Sequence, residues 1–160
     1  EYVLLARTMQ QQQVRPKGIY SVLGGAASSY KFVKEFPEAA KYIMDCNHWF
    51  DPRNPKAVAL KKKVDDKGEF YTYEVYMNYS CILLVADALQ RAASADRAKL
   101  TEALASSTFA GHLMPYGPTK FVNGQNEGAA PVNTQVLDND IKVILPATFA
   151  NAKPVFPMPA

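Results

Sequence analysis

At 160 residues, with 48% hydrophobic and 21% charged residues, the chain can bury one sizeable core and has the composition of a globular protein. A net charge of +3 is too small to imply a polyanionic partner, and the basic run Lys61-Lys62-Lys63 is answered at once by Asp65, Asp66 and Glu69. That pattern reads as a solvated helix face and no nucleic-acid stripe. The longest apolar run, Cys81 to Ala86, stops at Asp87, far short of the roughly 20 residues that span a bilayer, so no membrane insertion is expected.

In chain order, Val3, Leu4, Leu5 and Met9 predict a helix from Glu1 to about Gln11, broken by Pro16 and Gly18. A chain opening inside a helical pattern, with no Met and no export signal, is expected to be a fragment or a processed piece. Ile19 to Leu23 predicts a short buried strand, followed by Gly24-Gly25-Ala26-Ala27 and a helix capped by Ser28 or Ser29 that ends or turns at Pro37. Tyr42 to Cys46 predicts a second strand. Asn54 as cap with Pro55 at the first helical position opens a helix that Gly68 closes. The longest helix is predicted over Tyr73 to Ala93, with Val75, Tyr79, Ile82, Leu83, Ala86 and Leu89 forming its buried face. Asp96 caps one more helix. Asn123-Gly124 marks a tight hairpin, and Asp138-Asn139-Asp140 a second one between Val132–Val136 and Ile141–Leu145. A tail punctuated by Pro146, Pro154, Pro157 and Pro159 is expected to lie extended on the surface. Strands alternating with helices, then a hairpin, predict a doubly wound α/β protein with too few strands for a complete parallel sheet.

Residues suited to chemistry are sparse. Cys46 and His48 share a face of an extended strand, yet no oxyanion or third-residue signal accompanies them, and both Cys46 and Cys81 read as buried free thiols. His112 and Asp51 have no recognisable zinc spacing with them. No catalysis and no cofactor is expected. Gly24-Gly25, at the carboxyl end of a strand, stands where open α/β sheets meet their ligands and lets one approach the backbone closely. The aromatics Trp49 and Tyr73 are candidate walls of a small-molecule site.

The Gly117-Pro118 to Gly128-Ala129 segment, the loop Val22 to Ser28, Trp49 to Pro55 and the helix carrying Tyr79 and Ala86 to Ala92 occur in one order. Together they resemble the C-terminal portion of the type I periplasmic solute-binding proteins of ABC transporters, the branched-chain amino-acid and aromatic-acid receptor family. The resemblance implies part of a two-lobed α/β fold: a second-lobe segment over 1–46, a first-lobe segment over 47–128, and a return to the second lobe over 129–160. It implies a periplasmic receptor that closes on a small molecule at a hinge and delivers it to an ABC permease, the rest of the site lying in an N-terminal portion of the same protein. A sensory ligand-binding domain of the same fold is the alternative role. Gly24, Gly25 and Ala26 become backbone contacts, with Trp49, Tyr73 and Glu74 as further ligand-binding residues. Amino-acid receptors of the family carry an acidic residue near the position of Gly24, and the loop here has none. Burying an ammonium without a counter-charge costs several kcal/mol, so the expected ligand is a small organic acid, an aromatic carboxylate foremost, unless Glu74 supplies the charge for a hydrophobic amino acid.

Overall fold

The computed structural model describes residues 1–22, 25 and 27–159. Helix α1 (Tyr2–Gln11) leads into strand β1 (Tyr20–Val22), and the short helices α2 (Tyr30–Glu35) and α3 (Pro37–Ala40) precede β2 (Met44–Asn47). Pro37 redirects the chain and does not end it: as the first residue of α3 it lacks only an N–H that would have no helical partner.

Three further helices follow, α4 (Pro55–Asp65), α5 (Tyr73–Ala92) and α6 (Arg97–Ala105). The Asn54 side chain accepts from the Lys56 N–H at 3.0 Å, and Asp96 accepts from the N–H groups of Ala98 and Lys99 at 3.1 Å. Both are side-chain oxygens satisfying orphan amides of a first turn. On the surface of α4 the lysine run pairs forward along the helix, Lys61 with Asp65 and Lys62 with Asp66, each at 2.6 Å.

The chain ends in two hairpins, β3 (Phe121–Val122) with β4 (Gln125–Asn126), and β5 (Val132–Leu137) with β6 (Asp140–Leu145). Each turns on two residues of positive φ, Asn123 and Gly124 at 51° and 80°, Asp138 and Asn139 at 53° and 57°. That is the backbone twist a two-residue hairpin needs.

Four strands form one sheet in the order β1-β2-β5-β6. β1 runs parallel to β2, with Ser21 opposite Asp45, whereas β5 is antiparallel to both neighbours. The tail, expected to lie extended, opens instead with a turn, the N–H groups of Phe149 and Ala150 donating to the Pro146 carbonyl at 3.0 and 3.1 Å, and then runs without helix or strand, tethered to the sheet. The buried Gln135 amide donates to the carbonyls of Tyr42 and Val155 at 3.0 and 2.9 Å, and its oxygen accepts from the Val155 N–H at 2.8 Å.

Three further expectations are corrected. β1 is half exposed, with Tyr20 and Val22 open and Ser21 buried, because successive side chains point to opposite faces of the sheet and the face shared by Ser21 and Asp45 is the covered one among the described residues. The thiols are not buried: Cys46 is half-buried and Cys81 exposed. On α5 the predicted core face is largely open, Ile82 being 68% exposed and Tyr79 43%. The helix instead buries Tyr76, Ser80 and Ala88. Its sequence is apolar nearly all round, so periodicity could not choose the face; the choice is made by the Tyr76 ring and by the Ser80 hydroxyl, which accepts from the Leu113 N–H at 3.1 Å.

Candidate functional site

The site expected at the carboxyl end of β1 is built on a turn and an aromatic cluster. Gly24 and Ala26 lie outside the described residues. Gly25 has φ +68°, and a Cβ placed on it meets nothing within 4 Å. Glycine is needed there for backbone conformation and not for space. Ala27 and Ser28 follow, each 1% exposed, and fasten the turn from below.

Tyr30, in the first turn of α2, carries the turn into the aromatic cluster. Its ring lies 5.8 Å from Trp49, which lies 5.4 Å from Phe50 and 5.7 Å from Tyr76; Tyr71 completes the group, 5.1 Å from Phe50. Tilted and edge-on arrangements at these separations are the favourable ones for aromatic rings. Trp49 is therefore part of the core, 1% exposed, and presents no ring face to solvent in this structure. Burial pushes the hydroxyls of Tyr30, Tyr71 and Tyr76 far above the ordinary tyrosine range. They stay protonated, and the Tyr76 hydroxyl donates to the His48 carbonyl at 3.1 Å. Lys61 Nζ sits 4.5 Å above the Tyr30 ring, a cation–π contact at the rim of the cluster.

Tyr73 and Glu74 open α5, Tyr73 half-buried and Glu74 exposed. For Glu74, partial burial pushes the carboxyl pKa up. Hydrogen bonds from the Thr72 hydroxyl, its own backbone N–H and the Tyr73 hydroxyl outweigh this and hold it below the ordinary carboxylate range. Its place in a helical first turn acts in the same direction. In turn the Glu74 carboxylate raises the Tyr73 hydroxyl pKa. The predicted residues thus fall into two groups, Gly25 with the turn above Tyr30 and Trp49, and Tyr73 with Glu74 at the start of α5.

A cavity of about 330 Å³ opens elsewhere, between α1, α3 and the tail, lined among others by Met9, Ile19, Tyr42 and Met158. Ile19 and Tyr42 precede β1 and β2, so this cavity lies at the amino ends of the parallel strands, away from Gly25. Cys46 makes no hydrogen bond to His48 among the described residues, where no group of three or more metal-ligating side chains is found either. No described helix is long and apolar enough to cross a membrane. Sequence reasoning missed Asp45, fully buried beneath the turn and bonded by Ser28. Its only signal is a carboxylate following the apolar residues Ile43 and Met44 in a strand-like run.

Solved structures share this fold. A leucine-binding protein from Thermotoga maritima MSB8 superposes with a TM-score of 0.67 at 20% identity, over 88% of this chain and 40% of its own. A protein assigned to branched-chain amino acid ABC transport from Silicibacter pomeroyi gives 0.74 at 18% identity, over 98% of this chain and 44% of its own. The fold is that of the type I periplasmic binding proteins. An extracellular ligand-binding receptor from Rhodopseudomonas palustris HaA2 agrees, with a TM-score of 0.63 at 16% identity over 88% of this chain and 44% of its own. The chain thus spans less than half the length of these periplasmic-binding-protein relatives in fold. No protein-family profile matches it, and no curated protein matches it in sequence.

Proposed function

We propose that the chain is part of an extracytoplasmic solute receptor of an ABC importer, a periplasmic protein without enzymatic activity that captures a small molecule between two lobes. The observation that carries this reading is the superposition over 98% of the chain on a protein assigned to ABC transport, with the glycine turn at the carboxyl end of the parallel strands. The ligand stabilises the closed form by its greater affinity for it, and the permease reads that form. Segments 1–46 and 129–160 form the second lobe and 47–128 the first. Support for this division comes from the sheet, which draws its strands from 20–47 and 132–145 and leaves the longer helices between them.

Polypeptide beyond these 160 residues supplies the rest of the site and covers the open face of α5, where Tyr79, Ile82, Val85 and Leu89 are all more than a third exposed. Gly24, Gly25 and Ala26 offer backbone contacts to the ligand, Tyr73 an aromatic wall, and Trp49 supports the turn through Tyr30. The loop carries no carboxylate, which favours a small organic acid, an aromatic carboxylate foremost. A branched-chain amino acid is the second reading. It is favoured by the low carboxyl pKa of Glu74, which keeps a negative charge available, and by the ligands for which two of the relatives in fold are named.

Calorimetry on the full-length protein separates the two. Benzoate binding with no response to L-leucine supports the organic-acid reading. Tight L-leucine binding without a benzoate response removes it.

A further inference from the structure

Asp45 sits at the middle of β2, 0% exposed, between the parallel strand β1 and the antiparallel strand β5. Its Oδ2 accepts a hydrogen bond from the Ser28 hydroxyl. Its Oδ1 has no partner among the described residues, and neither does the buried hydroxyl of Tyr2 in α1. Burying a carboxyl group is costly unless its oxygens are bonded. An apolar residue would pack this position in the sheet at lower cost.

The carboxyl holds the turn. Ser28 is 1% exposed and lies between Gly25 and the first residue of α2. Among the described residues, the Ser28–Asp45 bond is the one side-chain hydrogen bond joining the turn at 25–29 to the sheet. The backbone bond nearby, from the Val33 N–H to the Ser29 carbonyl at 3.2 Å, lies within the start of α2 and leaves the sheet untouched. Removing either partner would leave the other with a buried polar group unsatisfied. The bond ties Ser28, which follows Gly25 on the way into α2, to the middle of β2.

We propose that Asp45 is a positioning residue which, acting through Ser28, holds the turn bearing Gly25 in the shape that meets a ligand. The inference rests on the reading that this turn is a ligand contact, whatever the ligand. Asp45 touches no ligand itself. Its effect on binding is one of preorganisation: a turn held in its binding shape loses less freedom when the ligand arrives.

The test uses Ser28→Ala, Asp45→Ala and Asp45→Asn in the full-length protein, with backbone amide exchange and titration by L-leucine and by benzoate. Ser28→Ala and Asp45→Ala are expected to speed exchange at residues 27–29 about tenfold while leaving Val136 in β5 unchanged. Asp45→Asn retains an oxygen that accepts from Ser28 and is expected to stay close to wild type. Whichever probe the wild type binds should bind Ser28→Ala about tenfold more weakly, and Asp45→Asn nearly normally. Unchanged exchange at 27–29 in Ser28→Ala overturns the proposal. So does a loss of protection spread equally to Val136, which would mark general destabilisation, or a loosened turn with unaltered affinity. If the Asp45→Ala protein does not fold, Ser28→Ala decides alone. A wild type that binds neither probe counts against both ligand readings, and the exchange data then decide whether Asp45 holds the turn.

Discussion

Glu74 shows how a single side chain in the candidate site carries a measurable signature. Its carboxyl pKa is lowered in the folded chain, so the ionised form is favoured by folding. The stabilisation is present above the ordinary carboxylate pKa and is lost as pH falls through the lowered folded value. Wild type and Glu74→Gln are therefore expected to differ in stability at neutral pH and to converge in acid, a trend that denaturation curves collected from pH 7 down to pH 2 would follow. Parallel curves across that range would show that the Thr72 and Tyr73 hydroxyls do not hold the carboxylate. At this scale the sequence was only partly legible. The special backbone at Gly25 could be read from a glycine pair after a strand, whereas the partner of Asp45 could not. A buried polar group is defined by what folds against it, and Ser28 is 17 residues away in sequence.

Among the elements, legibility followed the range of the interaction that fixes each one. The caps at Asn54 and Asp96 and the turns at Asn123-Gly124 and Asp138-Asn139 are bonds or torsions within three residues, and all could be anticipated. The face of α5 could not, because its burial depends on Trp49 and Leu113, remote in sequence, and both sides of the helix are apolar. The tail falls between these cases. Its prolines announce an extended chain, but the anchor is Gln135 in β5, whose amide makes three hydrogen bonds to Tyr42 and Val155. Gln135→Leu should cost about 2 kcal/mol or more, since the Val155 N–H loses its buried acceptor. Limited proteolysis would report it as faster cleavage within 147–159; a tail equally protected in the variant would mean that its other bonds, to Val143 and Lys17, hold it without the amide.

For the whole molecule, the open face of α5 distinguishes the chain alone from the larger two-lobed receptor proposed above. Ile82 is 68% exposed, so Ile82→Lys should change the unfolding free energy of the 160-residue chain by less than about 0.5 kcal/mol. In a two-lobed protein that covers this face, the same change should cost roughly 2–3 kcal/mol, the value of burying one large aliphatic side chain. Equal effects in the two contexts would mean that the face stays in water and that the proposed covering polypeptide lies elsewhere.

The sheet also sets an order in time. β2 finds its antiparallel partner only in β5, and the bond from the Thr134 hydroxyl to the Asp45 carbonyl bridges 89 positions of sequence. Closing so long a loop is an entropic toll met before any pairing energy is returned, which slows folding relative to a helical protein of equal size. During synthesis, β1 and β2 leave the ribosome well before β5, and strands of three and four residues form no stable ribbon by themselves. Until β5 arrives, the exposed edge of β2 is open to any passing strand.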